Sequence, residues 1–512
     1  MSGFPFLSIL TLLPLVGAAV VAFIPRNRGQ LAKTVALVWS LVVLVLSIFM
    51  WVAFKIDGDR FQFRESYQWI PSWDARFTFA ADGIALVMLM LIAVLVPVVI
   101  LASWNDVDSS KRSVPVYFAL LLAFEFTMIG VFAAADVFLF YVFFEVMLIP
   151  MYFIIGSFGG AQRQYAAVKF FLYSLVGGLF MLAAVIGLWV VGGHTFDFTK
   201  LHDVAAALDT NTARWLFLGF FIAFAIKAPF FPFHTWLPDA GGAAPAGAGA
   251  LLVGVMDKVG TFGILRYCLP LFPEASRWFA PAALILAVIG IIYAALLAIG
   301  QNDLKRLVSY TSIAHFGFIG IGIFAFTSQG GTGSVLYMVN HGLATGLLFL
   351  VIGMFISRRG SALVSDFGGA GKLLPVLAGV LFFAGLASLA LPGTAPFVSE
   401  FLVLIGTFTV HPAYAVVATV GIILAATYVL WMFQRVTQGT LNPTLTEVPA
   451  MQRDISLREK VVVAPLILLL LFLGFYPKPV TDVINPAVQA TMQDVGTTDP
   501  APTAVANGKV AP

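Results

Sequence analysis

The chain has 512 residues, of which 60% are hydrophobic and 10% charged, with a formal net charge of +3. Soluble domains carry about 25% charged residues, so this composition excludes an ordinary water-soluble fold. Long apolar runs and 49 Phe residues favour a lipid bilayer as the surroundings, because one crossing takes about 20 apolar residues. The small net charge says little about partners, and no basic patch of the kind that binds nucleic acid occurs.

The sequence lacks the usual groups for carrying electrons. Cys268 is the single cysteine, which excludes an intrachain disulfide and a cysteine-ligated iron–sulfur cluster. Neither a GxGxxG after a strand pattern nor a GxxxxGK[ST] phosphate loop occurs, and the six His have no haem or zinc spacing. We therefore predict no cofactor and no metal in this chain, and a function based on protons, ions or packing.

Apolar runs between polar breaks predict an all-α membrane protein with about fourteen spans. The first run lacks a basic flank and a small-residue cleavage site, so we interpret it as a span rather than a signal peptide. Prolines in KAPFFP and LPGTAP predict helices broken within the membrane. The predicted spans are 5–24, 31–54, 84–104, 114–132, 135–156, 166–191, 213–232, 246–266, 278–299, 304–325, 331–355, 373–408, 414–436 and 460–476.

The distribution of Lys and Arg among the loops predicts the orientation. Alternate loops, starting with PRNRGQLAK, hold more Lys and Arg than the loops on the other side. The richer side is predicted to be cytoplasmic, so that both termini face outward from the cytoplasmic (inner) membrane of a bacterium. The tail 487–512, rich in Thr, Ala and Pro, is predicted to be disordered.

Six titratable residues in six different spans lie at a similar predicted depth. They are Glu145, Lys227, Lys258, His315, His341 and Glu400. Glu145 and Lys258 fall about ten residues from the ends of their spans, which is roughly 15 Å from each membrane surface. Because a central charge costs about 2.5–3.5 kcal/mol on insertion, a set of such charges is not expected to persist without a function.

Carboxyl, amine and imidazole groups that face the interior of a helix bundle can pass protons to one another. Burial disfavours the charged form of each group, and a neighbouring opposite charge favours that form again. A proton gained or lost by one group therefore changes the proton affinity of its neighbour. The pattern therefore predicts a proton relay. Glu125 is also deep, with relay and structure as equal alternatives, and Asp257 lies about 100° of helix from Lys258, so its direction stays open. Lys169, near the membrane surface, is interpreted as a snorkelling lysine.

Structural explanations compete with the relay. Glu145 or Lys258 can belong to an ion pair that only locks two helices, and the deep histidines can be satisfied core residues. The LPGTAP segment can be a simple kink. Two discontinuous helices at similar depth nevertheless favour transport, because backbone groups freed at a break can bind ions or water.

Five stretches of the chain resemble one family closely. They are FFEVMLIPMYFIIG, FAIKAPFFPFHTWLPDA, NDLKRLVSYTSIAHFGF, YMVNHGLATGLLFL and LALPGTAPFVSEFLVLIGTF. These stretches are similar to the antiporter-like M subunits of NADH–quinone oxidoreductase, the respiratory complex I. The resemblance extends from about residue 80 to 436, and HTWLPDA with its upstream lysine is specific for the antiporter-like superfamily. The Glu of FFEVMLIPMYF favours the M subunit over its L and N relatives.

The resemblance implies fourteen helices with two inverted five-helix repeats, in which the seventh and twelfth helices are discontinuous. The implied organisation is 1–113 for helices 1–3 with an outward loop, 114–266 for the first repeat, 278–436 for the second repeat, 437–486 for a linker with helix 14, and 487–512 for the tail.

The resemblance also implies a role for each deep residue. Glu145 and Lys227 would form the ion pair that gates the first half-channel, and Lys258 would be the central lysine. The two deep histidines would bridge onward to Glu400, the terminal group towards the outward exit. The chain departs from many relatives at Gly241, where a His would follow LPDA, and in the acid that directly precedes the central lysine.

The function implied by the resemblance is proton translocation coupled to quinone reduction elsewhere in the complex. Other subunits would bind NADH, FMN, the iron–sulfur clusters and quinone, and the L and N subunits would be the neighbours of this chain. Two other functions stay open. The chain could be a subunit of an Mrp-type Na+/H+ antiporter or membrane-bound hydrogenase, or a structural membrane subunit without its own proton path.

Overall fold

A computed structural model describes residues 4–205 and 207–500, and most of these are helical. The helices follow the chain as α1 Phe6–Ala22, α2 Gly29–Ala53, α3 Gly83–Ala102, α4 Val114–Ala133, α5 Val137–Val146, α6 Leu148–Phe158, α7 Arg163–Val191, α8 Phe198–Ala205, α9 Thr210–Lys227, α10 Trp236–Ala243, α11 Ala246–Leu251, α12 Lys258–Gly263, α13 Leu269–Leu271, α14 Pro273–Ile299, α15 Leu304–Phe324, α16 Ser328–Arg359, α17 Pro375–Ser388, α18 Ala395–Phe408, α19 Pro412–Thr437, α20 Leu457–Phe475 and α21 Lys478–Val495. Two π-helical segments, Leu252–Met256 and Ile264–Cys268, join α11, α12 and α13 into one span.

Ten helices among the described residues are long and apolar enough to cross a membrane. The number rises to eleven if α20 and α21, which are bent by 68°, are counted as one span. Three further apolar helices, α1, α17 and α18, are shorter. Helices occupy the predicted apolar runs, but proline-containing breaks divide two of these runs into pieces that are each too short or too polar to qualify alone.

Several helices begin at a side chain that caps the first turn. Asp82, Asp136, Asp209 and Asp303 accept hydrogen bonds from backbone N–H groups of α3, α5, α9 and α15 respectively. Such caps satisfy N–H groups that have no partner within the helix itself. The caps therefore fix the first residues of α5, α9 and α15, which carry three of the deep titratable residues.

The segment 55–83, predicted as a loop, contains a β-hairpin. Strand β1 (Gln62–Ile70) pairs antiparallel with β2 (Ala75–Ala81), with Glu65 opposite Phe79. In β2 the last four residues are buried against the helices, and this packing stabilises a short hairpin that would be marginal alone. The all-α prediction is therefore wrong in this respect: the fold is helical with one small two-stranded sheet.

The prediction of a disordered tail is wrong for 487–495, which belongs to α21. Apolar side chains such as Val480, Ile484 and Val488 recur every four residues and are buried, which makes α21 an amphipathic helix. The prediction relied on the Thr, Ala and Pro content of the tail and did not consider this periodicity. Residues 501–512 lie outside the described residues.

Loop contacts define two ends of the helix bundle. At the termini-bearing end, the backbone N–H of Leu7 donates to Glu65 over 2.7 Å, and Arg60 pairs with Asp494 at 2.7 Å. The start of α1, the hairpin and the end of α21 therefore lie together. At the opposite end, the loops that follow α3, α6, α14 and α16 are connected by hydrogen bonds.

Candidate functional site

Lys258 lies at the start of α12, between the two π-helical segments. Its Nζ is fully buried, donates to the carbonyl oxygen of Val253, and lies 2.7 Å from Nδ1 of His341 on α16. The ring of Phe316 is 5.3 Å from the same nitrogen. Short π-helical segments inside α-helices are frequent at functional sites, because the wider turn changes the direction of side chains.

The two deep histidines connect Lys258 to the next helix. The rings of His341 and His315 lie 5.2 Å apart, on α16 and α15. Nε2 of His315 is 3.4 Å from the hydroxyl oxygen of Tyr428 on α19. The structure thus brings three of the predicted residues into one buried set that extends towards α19.

Glu400 ends this set beside the second helix break. The hydroxyl of Tyr337 on α16 donates to Oε2 of Glu400 over 2.8 Å, and both residues are buried. Between α17 and α18 the chain is not helical, and Gly393 has φ of +92°, a conformation that favours glycine. Asn340 donates from Nδ2 to the carbonyl oxygen of Ala395 over 2.7 Å, which fixes the start of α18 and hence Glu400.

Lys227 is the last residue of α9, where the first break begins. Its fully buried Nζ lies 4.7 Å from the ring centre of Phe144 and 6.0 Å from that of Phe170. Among the described residues this Nζ has no hydrogen-bond partner. Nε1 of Trp236 donates to the carbonyl oxygen of Ile226 over 2.9 Å and so connects α10 to the end of α9 across the break.

Glu145 is the half-buried member of the predicted set, near the end of α5. Its carboxylate lies against Gly178 of α7, where a Cβ atom would overlap it. The implied ion pair is not formed: within the part of the chain that the structure describes, no oxygen of Glu145 lies within 4.0 Å of Lys227 Nζ. The ammonium faces the ring of Phe144 instead, although the two charges still act on each other.

Asp257, whose direction the sequence left open, is fully buried. Neither of its carboxylate oxygens has a hydrogen-bond partner in residues 4–205 and 207–500. The charges of Lys258 and Lys227 both act on it. Its position directly before Lys258 was the available signal in the sequence.

Glu125 stands apart from the other titratable residues. It is buried in α4, and neither carboxylate oxygen has a partner among the residues described. The other predicted residues are connected by contacts or by neighbouring charges, whereas no hydrogen bond or ion pair in the described residues connects Glu125 to them. Its relay role stays a prediction.

The structure shows the contacts of Lys169 and Gly241, two further residues that the sequence analysis singled out. Lys169, interpreted as a snorkelling lysine, donates to Asp239 over 2.6 Å. Asp239 also pairs with Arg306, so three helices are joined at this point. Gly241 packs against Ser309, where a Cβ would overlap the hydroxyl, and this contact explains the glycine at that position.

Three residues near Glu400 and His315 were missed by the sequence analysis. They are Tyr337, Asn340 and Tyr428. Tyrosine and asparagine carry no charge, so hydropathy gives no reason to single them out, and the chain has 13 Tyr. Within the described residues, no three His, Cys, Asp or Glu side chains group as a metal site requires.

Comparisons with known proteins agree on one family. The family described as NADH:quinone oxidoreductase/Mrp antiporter, TM, matches residues 134–425. The chain is 48% identical to NADH-quinone oxidoreductase subunit M of Mycobacterium tuberculosis, covering 98% of this chain and 96% of the relative. It is 38% identical to NADH-ubiquinone oxidoreductase chain 4 of Arabidopsis thaliana, covering 95% and 97%.

Solved structures share the same fold. A chain of respiratory complex I from Thermus thermophilus with bound NADH has a TM-score of 0.85 at 30% identity, covering 96% of this chain and 100% of that chain. A chain of the Mrp complex from Dietzia sp. has a TM-score of 0.84 at 22% identity, covering 96% and 100%, which shows a shared fold alone.

The helical fold, with its two broken helices and its buried titratable set, defines an antiporter-like membrane protein of the NADH:quinone oxidoreductase/Mrp type. Within that class, the chain is 38–48% identical to named relatives over nearly its full length, and these identities show the family. The chain belongs to the family of NADH-quinone oxidoreductase M subunits.

Proposed function

We propose that this chain, a proton-translocating membrane subunit of NADH-quinone oxidoreductase, moves protons along the buried row of Glu145, Lys227, Lys258, His341, His315 and Glu400. The observation that carries the proposal is the contact chain from Lys258 through both histidines towards Glu400, which crosses α12, α16, α15 and α18. Redox cofactors are assigned to other subunits of the complex, and this chain supplies the path for protons.

The geometry at Lys258 suits proton exchange. An amine and an imidazole 2.7 Å apart share a hydrogen bond, so whichever nitrogen holds the proton donates it to the other. Burial disfavours an isolated charge on either residue. A charge that arrives at a neighbouring group therefore changes where the proton resides, and the groups act as a coupled set.

We also propose the finer architecture of fourteen spans in two inverted repeats. Ten qualifying helices, the bent pair of α20 and α21, α1 and the two interrupted helices together give this number. The interruptions support the proposal, because α9 breaks after Lys227 and α17 breaks before Glu400. The repeats would comprise residues 114–266 and 278–436.

The orientation proposed is that the termini-bearing end faces outward. The contacts of α1, the hairpin and α21 at one end support a common side for both ends of the described chain. The opposite end holds the loops richer in Lys and Arg, which favour the cytoplasm. As neighbours within the membrane we propose the L and N subunits of the complex.

The first test is Glu145→Ala in membranes of the source organism. We expect the NADH–quinone reductase rate and NADH-driven acidification both to fall by at least about tenfold, while the complex still assembles on a native gel. Glu447→Ala, which removes an exposed acid from a loop, serves as the control. If both activities survive and only sodium or alkali tolerance is lost, the antiporter function replaces the respiratory one.

A second variant tests the purely structural alternative. Lys227→Ala removes a buried ammonium that faces the rings of Phe144 and Phe170. If it reduces the amount of complex but leaves proton transport per assembled complex unchanged, the charges only hold helices together and the proposed relay is wrong.

A further inference from the structure

The row described above has one discontinuity, between Lys227 at the end of α9 and Lys258 at the start of α12. Lys258 contacts His341 and Val253, while Lys227 lies among the rings of Phe144 and Phe170. A group that exchanges protons with both lysines would join the two halves of the row.

The helix faces show which residue lies between the lysines. The span that contains Lys258 packs on α16 through Gly254, which is four residues before Lys258 and lies against Gly342 of α16. Residues four apart share a helix face. Lys258 therefore points to the α16 side, in agreement with its contact to His341.

Asp257 points to the other neighbour, the end of α9. Gly260, three residues later and hence on the same face, packs so closely on α9 that a Cβ there would lie 2.6 Å from the backbone nitrogen of Ala228. Ala228 directly follows Lys227 in the chain. The face of Asp257 and Gly260 is thus the one packed on the end of α9.

The surroundings of Asp257 indicate a group held ready for exchange. It is fully buried, and neither carboxylate oxygen has a hydrogen-bond partner among the described residues. An unpaired buried carboxylate is costly to keep. Lys227 is likewise without a hydrogen-bond partner in the part of the chain described, and the charges of Glu145 and Asp257 both act on it.

We propose that Asp257 is the proton carrier between Lys227 and Lys258, and that Lys227 exchanges protons with Glu145 on one side and Asp257 on the other. The ammonium of Lys227 gives a proton to the Asp257 carboxylate, which leaves a neutral amine and a carboxylic acid. The carboxylic acid then gives its proton to the neutral amine of Lys258, and the carboxylate is restored. The inference rests on the proposed proton-moving function of the row.

The test is Asp257→Asn in the assembled complex, because the amide keeps the size of the side chain but cannot carry a proton in this way. We expect NADH-driven acidification to fall by at least about tenfold, with normal assembly. Asp257→Glu, which restores a carboxyl group, is expected to recover a substantial part of the rate. Asp108→Asn removes an exposed acid in a loop and serves as the control for loss of charge.

A double variant separates a carrier from a residue that only supports the fold. If Lys227 and Asp257 act in series, Lys227→Ala combined with Asp257→Asn will be no slower than the slower single variant. Multiplied losses in the double variant would contradict the series arrangement. Failure of both Asp257 variants to assemble would assign Asp257 to packing and overturn the proposal.

Glu400→Gln in the same membranes distinguishes this inference from the function on which it rests. If Glu400→Gln stops acidification while Asp257→Asn pumps at the wild-type rate, Asp257 is not a carrier and the proposed function stands. If neither variant reduces acidification, both the proposed function and the inference are wrong.

Discussion

Tyr337 fixes the carboxyl group of Glu400 through a hydrogen bond of 2.8 Å in a buried site. A hydrogen bond to a group that becomes charged contributes about 1.5–3 kcal/mol, and about 1.4 kcal/mol corresponds to a tenfold change in rate. We expect Tyr337→Phe to slow NADH-driven acidification by about tenfold without loss of assembled complex. Acidification by membrane vesicles, normalised to assembled complex, is the measurement.

Tyr267→Phe is the matched control for that prediction. Tyr267 is also fully buried, and its hydroxyl donates to the carbonyl oxygen of Ala134 over 3.3 Å, away from the row. Both changes remove one hydroxyl and keep the ring. Equal losses in the two variants would mean that Tyr337 acts through packing rather than on Glu400.

At the scale of single residues, the sequence predicted the charged members of the row and missed the neutral ones. Lys258 and Glu400 were identifiable because a charge within an apolar run is costly and therefore rare. Tyr337 and Tyr428 were not, since a tyrosine ring is compatible with an apolar run and its partner is on another helix. Asp257 was visible but ambiguous, because its helix face depends on the packing of α9 and α16.

At the scale of elements, the packing of α5 on α7 determines where Glu145 points. Gly178 of α7 leaves the space that the Glu145 carboxylate occupies, and a Cβ there would overlap that carboxylate. Gly178→Ala is therefore expected to displace the carboxylate relative to Lys227 and to reduce acidification by about threefold or more. The complex should still assemble, because the displaced atoms are the end of a flexible side chain. Acidification and native-gel assembly are measured together.

Gly379→Ala provides the comparison for this helix substitution. Gly379 lies within α17, and an added Cβ would meet no atom within 4 Å among the described residues. Both substitutions add one methyl group inside a helix and raise helix propensity equally. If Gly178→Ala pumps as well as Gly379→Ala, the position of the Glu145 carboxylate does not limit transport.

The broken helices were predictable because proline removes a backbone donor and disfavours helix at the preceding residue. The hairpin and α21 were not predicted. In β2 only a short stretch alternates, and α21 contains Pro479 and Pro486, which are poor helix formers. The cap at Ser456, which accepts a hydrogen bond from Glu459 N at the start of α20, was a further readable signal.

At the scale of the whole molecule, we propose that the row crosses the bundle sideways rather than from one end to the other. Its members come from α5, α9, α12, α16, α15 and α18. Of these helices, α9 packs on α12, and α16 packs on both α15 and α18. This arrangement could not be derived from the sequence, because hydropathy gives the depth of a residue and not the identity of the neighbouring helix. The distribution of Lys and Arg among the loops, in contrast, favours one orientation in the membrane, and this proposed orientation can be measured directly.

The orientation predicts different accessibility of two exposed lysines. Lys478 opens α21 at the termini-bearing end, and Lys111 lies in the loop before α4 at the opposite end; their side chains are 63% and 79% exposed. The native Cys268 is buried, so a cysteine introduced at either lysine provides the accessible thiol. In right-side-out vesicles, a membrane-impermeant thiol reagent should label Lys478→Cys without permeabilisation and Lys111→Cys only after it. The reverse pattern would invert the orientation, and labelling of both from outside would contradict the proposed number of spans between them.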